Sequence, residues 1–84
     1  MFDYRHYIEI KLILERALTF LDEDETYILI HRYGLFDVAK QPARIVADEL
    51  KIPLHKVYHL ERKSLKKVQI IFKKLNINMD LLFG

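Results

Sequence analysis

The stretch "IVADELKIPLHKVYHLERKSLKKV", residues 45–68, decides the fold. Two amphipathic runs meet at "KIP", and the spacing of their apolar residues has a steric cause. A helix that must approach its neighbour closely needs a small residue at the crossing. Apolar residues then flank that point and the turn, and two more hold the second helix down. Here Ala47 is the small residue, Val46 and Leu50 flank it, Ile52 sits in the turn, and Val57 and Leu60 hold the second helix. Every position of a helix-turn-helix is filled. The weak place is Lys51, where Gly would take the left-handed turn more easily; Lys there costs about 1 kcal/mol. Any helical hairpin with a tight crossing shares this pattern, so the rest of the chain must say what it serves.

Upstream, "LDEDETYILIHRYGL" starts a helix. Asp22 can cap it, and Glu25 three residues on can complete a capping box. Glu23, Asp24 and Glu25 suit the positive end of the helix dipole. Ile28, Leu29 and Tyr33 face its buried side, and Gly34 supplies the left-handed stop. "LFDVAKQ" reads as a loop, and Pro42 fits the first turn of a third helix that ends near Leu50. An extra N-terminal helix is expected over 4–20, with Ile10, Leu14, Ala17, Leu18 and Leu21 on one stripe. Tyr4, Ile8, Leu12, Ile13 and Phe20 lie largely off it. Either a small core wraps this helix on two sides, or the helix keeps a second face for a partner, a homodimer mate included.

Downstream, one long helix is expected from about Pro53 to Leu75, with Val57, Leu60, Leu65, Val68, Ile71 or Phe72 and Leu75 inward. The apolar tail "NINMDLLFG", residues 76–84, forms one more turn or packs as an extended segment. The expected fold class is therefore all-α, a single small domain of four to five helices over residues 1–84 containing a helix-turn-helix.

Composition sets the limits. The 84 residues contain no cysteine, two Gly and two Pro. Disulfides and thiolate metal sites are excluded, and a many-turned β architecture has no material. No apolar run approaches the roughly 18–20 residues of a membrane span, and the N-terminus lacks signal-peptide features. The expected location is cytoplasmic, associated with the nucleoid. The net charge is only +2 but is unevenly placed. Residues 1–50 carry six Lys/Arg against ten Asp/Glu, whereas residues 51–84 carry eight against two. Such a molecule can turn one half to phosphate and the other to a protein.

The wider run 20–69 resembles region four of bacterial primary sigma factors. Its segments "LD", "HRYGL", "ARIVADEL" and "LERKSLKKV" follow one another in the family's order, with the loop at matching length, and the likeness covers about residues 17–70. The resemblance implies that the second helix of the pair enters the major groove of a promoter element. It also implies that the opposite, apolar side grips a flap on the β subunit of RNA polymerase.

On the DNA side, the base-facing positions are Leu54, His55, Tyr58, His59 and Arg62. The family typically places Arg, Glu, Arg and Gln at most of these. Arg and Gln pair bidentately with bases; Leu54 can only touch a thymine methyl, and each His offers a single hydrogen bond. Lys56, Lys63, Lys66 and Lys67 remain for phosphate, as does the helix start at Ala43. Asp24 stands where the family often has a phosphate-binding Arg. DNA binding is therefore expected to be weak or altered in specificity. On the polymerase side, the candidate contacts are Tyr27, Ile30, Tyr33, Leu35 and Phe72, with Ile28, Leu65 and Val68 assigned to the core.

Other chemistry finds no footing. His55 and His59, spaced i and i+4, lack a third metal ligand, so no metal and no cofactor are expected. Ser64, the only serine, has no nucleophile context, and there is no glycine-rich phosphate loop. Membrane binding by the basic helix is disfavoured because its apolar face has a core to cover. The expectation is a non-enzymatic, stand-alone transcription factor that docks on polymerase, as a split-sigma subunit or phage-type coactivator. The alternatives are an independent helix-turn-helix regulator and an inhibitor that occupies the sigma site on polymerase.

Overall fold

Short-range signals set the ends of the helices. A computed structural model describes residues 4–76 of the chain. The tail expected at 76–84 lies outside them apart from Asn76, as do the side chains of residues 4–7 and of Ile10. Four α-helices are described: α1 (Tyr4–Leu18), α2 (Glu23–Tyr33), α3 (Ala43–Leu50) and α4 (Leu54–Lys74), with a 3-10 turn at Leu35–Asp37. No strand occurs among the described residues.

The capping box at the start of α2 is present, and the Asp22 N–H donates to Glu25 Oε1 at 3.1 Å. Gly34 ends α2 in the left-handed region (φ 62°), and a Cβ there would meet the Val38 carbonyl oxygen at 3.0 Å. Lys51 takes the same conformation (φ 57°) at the end of α3, the strained turn expected from its sequence. The "LFD" stretch is more structured than a plain loop: Phe36 and Asp37 also have positive φ. Pro42 sits one place earlier than expected, at the N-cap rather than in the first turn. Its extended ψ of 154° lets its carbonyl accept from the Ile45 and Val46 amides. α1 stops two residues short of Phe20, in a turn closed by Thr19 and Phe20 N–H bonds to Arg16 and Ala17.

Two apolar clusters share α2 and α4. The first gathers Ile28, Ala43, Val46, Ala47 and Val57, with Tyr27, Leu50, Ile52 and Leu60 against it. All six residues expected at the α3–α4 crossing thus meet in one core. The second gathers Leu14, Ala17 and Leu18 of α1 with Leu29, Leu35, Val68 and Phe72. Along α4 the two are separated by Ser64, fully buried, whose hydroxyl donates to the Glu61 carbonyl of its own helix at 3.0 Å. That bond satisfies the hydroxyl without a partner from another helix. Leu75, expected inward, is exposed.

Burial shows that the core covers one side of α1 only. One face is core, while Ile8, Leu12 and Phe20 remain exposed, Phe20 at 75%. The expected apolar groove, however, is corrected. Phe72 is 0% exposed and Leu35 only 6%, because α1 lays Leu14, Ala17 and Leu18 over them.

Candidate nucleic-acid interface

The outer face of the first half of α4 is polar and basic, whereas α3 exposes Arg44 and Ile45 beside the acids Asp48 and Glu49. The buried positions of α4 are Val57, Ser64, Val68 and Phe72, so the opposite face is fixed by helical geometry. On that face His55, His59, Arg62 and Lys66 form a single exposed stripe, spaced by one turn each. Lys56 and Lys63 are exposed beside it. Leu54 and Tyr58, also one turn apart, lie toward the start of α3 and stay exposed. The interface residues expected on α4 are therefore brought together on one face, except for one.

The exception is Lys67. Its ammonium donates to Glu25 Oε1 at 2.9 Å, linking α4 to the start of α2. Glu25 is fully buried and its other oxygen has no hydrogen-bond partner. Burial raises this carboxyl's pKa. The Lys67 hydrogen bond, the Asp22 amide and the charges of Lys67 and Lys63 together outweigh that, holding it below the usual carboxylate value. Lys67 is thus a structural cation, whereas Lys56, Lys63 and Lys66, the other lysines expected to meet phosphate, are exposed.

Glu61 is the one acid between Lys51 and Lys74, and it would oppose a polyanion if it were free. Arg32 of α2 neutralises it, with Nε at 2.8 Å from Oε1. The same guanidinium donates to the Gln41 carbonyl at 3.1 Å, and the Gln41 N–H donates to the His31 carbonyl at 2.7 Å. This small network holds the segment before α3 against α2 and so places the start of α3 beside α4. Tyr33 lies close by, its phenol pKa pushed up by burial and by the Glu61 carboxylate, with Arg32 opposing.

At the start of α3, Ala43 is buried through its side chain, and no side chain caps the helix's first turn. Only the backbone of Ala43 is available to a phosphate there. Arg44 and Ile45 are exposed next to it, and with Pro42, Ala43, Leu54 and Tyr58 they line a shallow groove. The sequence reading missed Arg44 and Ile45. Their signal was available: they fall off the Ala43–Val46–Ala47–Leu50 stripe, on the side that must face out.

Four of the five residues expected to face polymerase meet in one cluster, as core and its margin rather than as an open groove, and Tyr27 lies apart from them. Tyr27 is half-buried against the α3 cluster and stacks on His31 with ring centroids 3.9 Å apart. Ile30 and Tyr33 are half-buried against the other cluster, and Leu35 and Phe72 are interior to it. Among the described residues no group of three or more His, Cys, Asp or Glu could hold a metal, and no helix is long and apolar enough to cross a membrane. Comparison with protein-family models, curated proteins and solved structures returned no match.

Proposed function

We propose that this chain is a transcription protein of the sigma region-four kind, which lays the first half of α4 in the major groove of duplex DNA. The observation that supports this best is the core around Ala47. Six residues chosen from a steric pattern alone pack together, and their packing turns His55, His59, Arg62 and Lys66 outward. Neutralisation of Glu61 by Arg32 leaves that face cationic. The test is fluorescence anisotropy of the full chain with a labelled promoter duplex over a salt series. Affinity falls with a log–log slope of about −0.9 per phosphate contact, and Lys63→Glu with Lys66→Glu makes the slope shallower. Binding insensitive to salt, or unchanged in that double variant, would remove the assignment.

Docking on the β flap of RNA polymerase is the second part of the reading. It is supported by the seam between α2 and α4, which seats an amphipathic helix, α1, through Leu14, Ala17 and Leu18. A flap-tip helix using this seam competes with α1. Calorimetry with the isolated flap tests it; tight duplex binding without any flap binding makes the chain an independent regulator. Flap binding without duplex binding makes it an inhibitor at the sigma site.

A further inference from the structure

We infer that the interface reads thymine methyl groups through an exposed apolar triad, Ile45, Leu54 and Tyr58. The inference rests on the DNA-binding reading and names the chemistry that reading leaves open. The three side chains are 42%, 42% and 45% exposed, and none belongs to either core cluster. Leu54 and Tyr58 are one turn apart on α4, Ile45 comes from the first turn of α3, and all three line the same groove. They therefore form a built concavity contributed by two helices, not scattered surface residues.

Charge selects the occupant. Arg44 lies in the groove itself, and Lys56, Arg62, Lys63 and Lys66 are exposed on the adjoining face of α4. Of the acids nearby, Glu61 is held by Arg32, and Asp48 and Glu49 are exposed on α3 one turn beyond Arg44 and Ile45. An apolar patch with Arg44 in it and the basic face of α4 beside it fits a polyanion that carries apolar groups at its centre. In duplex DNA the group that answers this description is the thymine C5-methyl, which projects into the major groove among polar base edges. The first turns of α4 point the same way by what they lack. From Leu54 to His59 there is no Arg, Asn or Gln to pair bidentately with a base. His55, Lys56 and His59 remain as hydrogen-bond donors there, and methyl burial adds discrimination, with Leu54 and Ile45 as the contact surface and Tyr58 as the wall.

The experiment uses the full chain with two probes, alternating poly(dA-dT) and alternating poly(dA-dU) duplexes. These share backbone charge and base pairing and differ by the methyl group. The thymine duplex binds tighter by about fourfold for each methyl buried, from the transfer free energy of one such group. Leu54→Ala and Ile45→Ala bring the thymine-to-uracil ratio toward one. Circular dichroism confirms that both variants stay helical. Salt-dependent binding with equal affinity for the two duplexes overturns methyl reading and leaves the DNA-binding reading standing. A ratio that survives both substitutions also overturns it. No binding to either duplex removes both readings.

Discussion

Replacing Lys67 by Met should destabilise the protein more than replacing its partner Glu25 by Gln, although each breaks the same ion pair. The asymmetry follows from burial. The Glu25 side chain is 0% exposed, whereas 37% of the Lys67 side chain reaches solvent. Without Glu25, the lysine ammonium swings into water, and a glutamine still accepts the Asp22 N–H; the loss is about 1 kcal/mol. Without Lys67, a carboxylate remains buried with one amide donor and an oxygen that already lacks a partner. Breaking a fully buried pair costs about 3–5 kcal/mol, and solvent screening at the exposed lysine brings the figure down to about 2 kcal/mol. For a chain of this size that corresponds to a melting point lower by about 10 °C.

The pH dependence sharpens the test. In the wild type the folded-state pKa of Glu25 lies below its ordinary 4.5. The pair's contribution is therefore complete above that value and is lost as pH falls through the lower folded pKa. In Lys67→Met, burial pushes the same carboxyl upward, so the variant is penalised at neutral pH and relieved once the group is protonated. Urea denaturation followed by circular dichroism should show the gap near pH 7 and its closure by about pH 3. Equal losses for the two variants at neutral pH would refute the reasoning, as would a gap that persists in acid.

Ala47→Leu inserts three carbons into a crossing where Ala47 is 5% exposed, and should destabilise by about 1–3 kcal/mol in urea titrations. Lys51→Gly should raise stability by up to about 1 kcal/mol, since it relieves a left-handed residue at an exposed turn. Gly34→Ala should lower it, because the added Cβ meets the Val38 carbonyl at 3.0 Å; thermal melts compare the two. Leu14→Ala weakens the seat of α1 by about 2–5 kcal/mol. If the flap helix shares that seam, this variant should bind the isolated flap more tightly than wild type by calorimetry, the opposite of what damage to a shared surface would give.

Much of this protein is legible in its sequence because the signals are local. A capping box needs residues three apart, a left-handed stop needs Gly34 or a strained Lys51, and a close crossing needs Ala47 among apolar neighbours. Those constraints act within one or two turns, so a single chain displays them. Helical periodicity likewise told which side of α4 faces out, and hence where His55, His59, Arg62 and Lys66 stand together. The tertiary structure decided what depends on contacts distant in sequence. A run of lysines reads the same whether each is free or paired; only the approach of Glu25, 42 residues away, makes Lys67 structural. Only Arg32, 29 residues away, neutralises Glu61. An apolar stripe does not state which helix will cover it. Leu35 and Phe72 became interior because α1 reached the α2–α4 seam, and Ile45, Leu54 and Tyr58 stayed outside because no element of the described chain crosses the front of α3 and α4.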